Sequence, residues 1–297
     1  MTGMNQADRA GRAKIALRAA IAPFVVTAVI VALCTLGIFG YLNERDIHTL
    51  QYSTGQLTAP NRVEVDVTLQ QMDAAKRQLS LIVLVSALGN TADHGDETTL
   101  ARPLTLETSS LINTTLRFPA GERLSAQNIS VGLNSGIVSD YPFDSYTTDV
   151  GFYATINDEP VPISLIFHNE DPFFLTKPTG ANVDSGAAAI GLRIERSRAT
   201  FIFAWFLMAA MWILALSVLG AAWIIVRGRR GLIWPALGWM AATLFALVAV
   251  RNAVPGLPPI GSLFDYASFL WAEAIVALSI AAVAVQGVIV ERGPRST

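Results

Sequence analysis

Two groups of residues in the sequence have types and spacing that could do chemistry. The first is Arg251, Asp265 and Glu273, charged side chains set in an otherwise apolar C-terminal third. Ionisable groups in such surroundings are costly and are retained for pairing, for a proton path or for gating. Arg251 closes one apolar stretch and Glu273 falls in the first turns of the next, so an Arg251–Glu273 ion pair is expected, with Asp265 as a competing partner. As a pair they fix a loop; as a titrating site they gate or relay protons. The second group is the string Asp140-Tyr141-Pro142-Phe143-Asp144-Ser145-Tyr146. Proline fixes φ, an aspartate two residues on accepts backbone N–H bonds, and three rings can anchor the corner so formed. Tyr141, Pro142, Phe143, Asp144 and Tyr146 are therefore the candidate interaction or coupling residues of this region. They either plug a β domain, as a tyrosine corner does, or press on a neighbouring helix or partner.

Recognisable catalytic patterns are missing. The sequence holds no G-x-S-x-G, H-E-x-x-H or C-x-x-C and no phosphate-binding glycine loop. His94-Gly95-Asp96 and His168-Asn169-Glu170-Asp171 have metal-ligand residue types but read as solvated turns. No catalytic residue, metal, cofactor, nucleotide or nucleic acid is expected, and the chain is not expected to be an enzyme. The one cysteine, Cys34, excludes a disulfide scaffold.

The elements that must position these residues follow from composition. Of 297 residues, 52% are hydrophobic and 15% charged, the net charge is −2 and mean hydropathy is +0.45. A soluble domain carries about 25% charged residues, so an ordinary cytosolic enzyme is disfavoured. Four apolar stretches reach the roughly 20 residues that a bilayer core requires of a helix: 19–41, 200–226, 232–250 and 268–290. Nine of the 21 lysines and arginines lie in the tail 1–18, the link between the second and third stretches, and the tail 291–297. By the positive-inside rule these segments are cytoplasmic, both termini included. Residues 42–198 carry 19 acids and 11 bases, a net of −8, as expected of a translocated domain, and 251–267 form a short outer loop. Trp205 and Trp271 fall at the expected outer boundary, and Trp223 and Trp234 at the inner one.

Within 42–198 the hydrophobic period is two. Val63, Val65, Val67 and Leu69 alternate with polar residues, and further strands are expected over 78–88, 102–108, 111–118, 148–156, 163–168 and 189–196. Turn clusters separate them, which predicts an all-β antiparallel sandwich on a four-span helical bundle. Gly238, Ala242 and Ala246, and Ala277 and Ala281, recur at helical spacing and are candidate helix contacts.

With its Tyr-Pro-Phe-Asp-x-Tyr motif at 141–146, the Arg251-Asn252 to Pro258-Pro259 loop and Glu273, nearly the whole chain resembles a family of integral membrane proteins, mainly actinobacterial and fungal, known only as a domain of unknown function. That resemblance implies an architecture and no activity. Tyr141-Pro142-Phe143-Asp144 is also similar to the signature-loop core of pentameric ligand-gated channels, where the loop lies between sandwich and pore. The channels place all four helices after the sandwich, whereas here one precedes it, and no cysteines flank the motif. The expected role is thus a non-enzymatic binding or accessory module of the cell membrane, acting through its outer domain on an envelope protein or as a homo-oligomer. The alternative is a sensor or channel-like protein in which the corner couples domain to helices.

Overall fold

The computed structural model describes residues 50–292 and, before them, positions 27, 28, 31, 32, 34–40 and 42, all helical. The expected tail 1–18 and most of the expected first span lie outside the described residues, as do 293–297. Residues 1–46 and 47–297 form two separate units. In the first, the Thr35 hydroxyl donates to the Val31 carbonyl at 2.8 Å, one helical turn back.

The second unit opens with an all-β region that is predominantly antiparallel. Strands β1 (Tyr52–Gly55), β2 (Arg62–Asp73), β3 (Gln78–Leu88), β8 (Gln127–Gly132) and β11 (Ile163–Asn169) form a sheet in the order β1-β11-β2-β3-β8. A second sheet runs β12-β13-β9-β6-β7, from β6 (Leu104–Thr108), β7 (Thr115–Phe118), β9 (Ser145–Ile156), β12 (Phe174–Asp184) and β13 (Ala187–Arg196). The two-residue β10 (Glu159–Pro160) adds to β9, and β4 (Ala92–Asp93) and β5 (Asp96–Leu100) make a small hairpin. Its turn residues His94 and Gly95 have φ of 49° and 79°, so the expected His94-Gly95-Asp96 loop is a tight hairpin turn.

Alternation dictates the packing. Val63, Val65, Val67 and Leu69 are fully buried, and they share one core with Leu81 and Val83 of β3, Val150 and Phe152 of β9, and Ile190 and Leu192 of β13. One pairing departs from the antiparallel expectation: β11 runs parallel to β2, Ile163 facing Val63. Ile163, Ser164 and Leu165 are all buried, serine included, as suits a strand covered on both faces. Strands β1, β8 and β12, like the short β4, β5 and β10, fall outside the expected ranges. Of these, β12 holds Pro178 and Gly180, with a register shift between them, and stays exposed from Lys177 to Asp184. An edge strand tolerates such residues.

Three helices follow: α1 (Arg198–Arg227), α2 (Trp234–Asn252) and α3 (Leu270–Arg292). All are long and apolar enough to cross a membrane, α3 together with the preceding π turn, Asp265–Phe269. A π turn displaces the regular hydrogen-bond ladder. Beside it, the Trp212 indole N–H of α1 donates to the Ala267 carbonyl at 3.1 Å. The expected small-residue stripes are not the faces by which the three described helices of this unit meet: Gly238, Ala242, Ala246, Ala277 and Ala281 are exposed. Met240, Thr243 and Leu247 of α2 and Ala272, Val276, Ser279, Val283 and Gly287 of α3 are buried instead. Small residues are frequent all round these helices, so spacing alone does not pick the face. Close approach singles out Gly287, whose Cβ would lie 2.7 Å from Leu232 Cγ.

Candidate functional site

The register of β9 against β13 sets Ser145 opposite Glu195 and Tyr146 opposite Ile194, which brings Asp144, just before β9, to Arg196, the last residue of β13. Arg196 Nε donates to both Asp144 carboxylate oxygens at 3.0 Å, and Nη2 lies 3.0 Å from Oδ2. The two side chains are 2% and 0% exposed. The Tyr146 hydroxyl donates to Asp144 Oδ2 at 2.7 Å. The guanidinium carbon lies 4.1 Å from the Phe174 ring centroid and 4.8 Å from that of Tyr141. Stacking between two rings, out of water, strengthens a cation–π contact.

The corner is a turn closed by the Phe143 N–H on the Asp140 carbonyl at 2.8 Å, around a cis Tyr141–Pro142 bond. Its rings diverge. Tyr146 joins the β core, edge-on to Phe174 at 6.3 Å. Tyr141 is fully buried in the helical cluster, edge-on to Phe264 at 6.0 Å. Phe143 is more than half exposed and meets Phe201 of α1 at 5.3 Å. Pro142 and Phe143 also line a cleft of about 260 Å³ with Arg193, Arg198 and Phe201. The string is thus more than a plug within the β region: it bridges sheet and helices. Burial pushes the Tyr141 phenol up to about 12, with the Arg196 charge opposing and the Asp144 charge adding. Burial and the bond to Asp144 likewise raise Tyr146. Both phenols are neutral at physiological pH.

Asp171 is buried beside this cluster and takes N–H bonds from Met72 at 2.6 Å and Phe173 at 2.8 Å. Burial lifts its carboxyl above the usual range, against those donors and the Arg196 charge. The His168-to-Asp171 segment therefore divides, since His168 Nε2 contacts Asp66 at 3.3 Å while Asp171 organises a buried turn.

Arg251, Asp265 and Glu273 separate into a pair and a bystander. Arg251, in the last turn of α2, bonds Asp265 through Nε to Oδ1 and Nη2 to Oδ2, both at 3.0 Å, and Nη2 also reaches the Pro258 carbonyl at 3.1 Å. The Gly261 N–H donates to Asp265 Oδ2 at 2.8 Å. The competing partner has won, because the π turn and the loop ahead of it place Asp265 squarely against the fork. Glu273 is half-buried with no hydrogen-bond or ion-pair partner among the described residues.

Sequence reasoning missed Arg196 and Gly256. The loop after α2 brings Gly256 so close that a Cβ there would lie 2.3 Å from Arg196 Nη1, and its φ is +73°. For Arg196 the available signal was its place on the inward side of the β13 alternation, after Ile190, Leu192 and Ile194 and just before a helix cap, where the Ser197 side chain accepts from the Thr200 N–H at 3.2 Å. We expect Gly256→Ala to cost about 1–3 kcal/mol through backbone strain and overlap. In an Arg196→Met background the overlap is relieved and the cost falls by about 0.5 kcal/mol or more, measured as a double-mutant cycle of unfolding.

Residues 53–194 match the model of a domain of unknown function (DUF4436), and residues 196–290 match a second domain of unknown function (DUF8686). No curated protein matches the chain. The chain is thus similar to two uncharacterised domains, and their boundary falls at Glu195–Arg196, where strand passes into helix.

Proposed function

We propose that this chain is a membrane-anchored, non-enzymatic binding or accessory module. Its helices span the cell membrane with both termini in the cytoplasm, and its β-sandwich, held outside, engages a component or protein of the envelope. The observation that carries this reading is the junction: β13 ends at Arg196 and α1 begins at Arg198, so Ser197 alone separates them. A domain held so firmly is suited to presenting a surface. Apolar side chains pointing away from the helices support the bilayer setting, among them Phe206 at 64%, Phe245 at 75% and Leu278 at 71% exposed. An apolar surface this extensive is disfavoured in water. Trp205, Trp223, Trp234 and Trp271 are exposed near helix ends, which fits interfacial anchoring. Most side chains buried among the described helices are Ala, Leu, Met and Val, and the buried hydroxyls of Thr243, Ser268 and Ser279 bond to carbonyls of their own helices, which favours an anchor over a conducting path within one chain.

A second reading is a sensor or channel-like protein in which the corner couples sandwich to helices. The Tyr141–Phe264 contact favours it. A closed ring of subunits in detergent would support this reading, and monomers co-purifying with envelope proteins the first. Topology has its own test. In a Cys34→Ser background, Glu97→Cys, exposed on β5, is expected to react with a membrane-impermeant maleimide in intact cells. Labelling only after lysis would overturn the orientation.

A further inference from the structure

The six-stranded sheet has an outer face built unlike an ordinary wet sheet. Its register aligns Glu107 of β6, Tyr153 of β9, Ala187 of β13 and Asp184 of β12 in one row. The next row is Ser109, Gly151, Ala189 and Asn182: Gly151 faces Ala189, Ala189 faces Asn182, and Ser109 exchanges bonds with Gly151 at 3.0 and 3.1 Å. Both rows have polar ends; the centre is Tyr153 and Ala187 in the first and Gly151 and Ala189 in the second. Together they line a trough of about 560 Å³, within the size range of small-molecule sites.

The small centre is not dictated by the backbone. The φ of Gly151 is outside the left-handed range, so any residue could adopt it. A glycine in a strand interior costs about 0.5–1 kcal/mol and often marks a place where something approaches closely. A Cβ at Gly151 would stand 3.2 Å from the Ala189 Cβ, filling the floor.

The rims state what kind of molecule fits. Glu107, Asp184 and Asn182 are exposed and offer chiefly acceptor oxygens. Asp184 Oδ1 already takes the Ser185 N–H at 2.7 Å, and Oδ2 has no hydrogen-bond partner among the described residues. No lysine or arginine lines the trough, so a phosphate or sulfate would meet only like charge. The ligand must bring hydroxyl donors along its edges and an apolar flat face to lie on Ala, Gly and the Tyr153 ring. A pyranose ring has this form. We infer that this face is a saccharide-binding trough that takes an uncharged oligosaccharide lengthwise across β9 and β13. The inference rests on the reading of the β domain as the binding part of the module, and names its surface and ligand class.

The test uses the full chain in lipid nanodiscs, titrated calorimetrically with chitotetraose, maltotetraose and mannotetraose up to about 10 mM, and with tetralysine as the cationic rival. At least one tetrasaccharide is expected to bind. Ala189→Leu, which fills the floor, and Tyr153→Ala are each expected to weaken it about tenfold or more, with His94→Ala, on the distant β4–β5 turn, unchanged. Asp184→Ala, at an exposed strand end, serves the same purpose if either variant fails to fold. Saccharide binding indifferent to all three trough variants would overturn the trough and leave the module reading standing. Binding of tetralysine alone, or of no probe, would also overturn it. In the latter case, co-purification of the same envelope proteins with wild type and trough variants preserves the module reading, and its absence removes both.

Discussion

Asp144→Ala is expected to destabilise the β region by about 3–5 kcal/mol, the cost of leaving one member of a buried ion pair uncompensated. Asp144 receives Arg196 Nε on both oxygens and the Tyr146 hydroxyl on one, so its loss strands a cation and a phenol together. The cation cannot escape to water, because its side chain is packed between Phe174 and Tyr141 and against Gly256. Its position is also where the β region meets the helical cluster, so that cluster loses the seat of Tyr141 along with the β core. Asp144→Leu combined with Arg196→Met is expected to recover much of that loss, since an apolar replacement of a buried pair is often neutral or better. Thermal unfolding of the purified protein, read by size-exclusion chromatography of the surviving fraction, distinguishes the two. A single variant within about 1 kcal/mol of wild type would mean that the pair does not hold the junction.

A comparable loss, again about 3–5 kcal/mol, is expected for Asp265→Ala, whereas Glu273→Gln is expected to fall within about 0.5 kcal/mol of wild type. Asp265 accepts two bonds from Arg251 and one from the Gly261 N–H, fastening the loop between α2 and α3 at both ends. Removing it leaves Arg251 with the Pro258 carbonyl alone. Glu273 has no such role, so a Glu273→Gln protein that assembles normally but loses a transport or signalling response would mark the carboxylate as functional. Loss of assembled Glu273→Gln protein would instead assign it a structural role. Yield and monodispersity of the two variants in one membrane preparation make the comparison direct.

The parts of the fold legible in the sequence are those set by local period. The alternation of β2 shows in Val63 to Leu69, and the three long helices show as apolar runs between charges. The parallel β2–β11 pair was not legible, because it joins residues about a hundred positions apart and leaves no mark on either strand's own pattern. The candidate site divides in the same way. Asp144 stood out because proline and aromatic residues surround it. Arg196, its partner 52 residues on, looked like one more surface charge until the β9–β13 register placed it inward. Gly151 and Ala189 are ordinary small residues in sequence, and only their position opposite each other makes a floor of them.

The direct passage of β13 into α1 also bears on how tightly anything can be held. A domain on a flexible tether of n residues explores distances of about 5–6 Å × √n and surrenders that freedom when two contacts form at once. With one residue between strand and helix, there is little such freedom to surrender. In the proposed placement every copy therefore displays its outer sheet at the same height and tilt above the bilayer. Neighbouring copies, or an extended ligand lying along the envelope, can be engaged at several points with little orientational entropy lost at each. Weak contacts at single sites would then add up to firm retention at the surface, and inserting a short glycine-rich segment after Ser197 would abolish that gain while leaving each site intact.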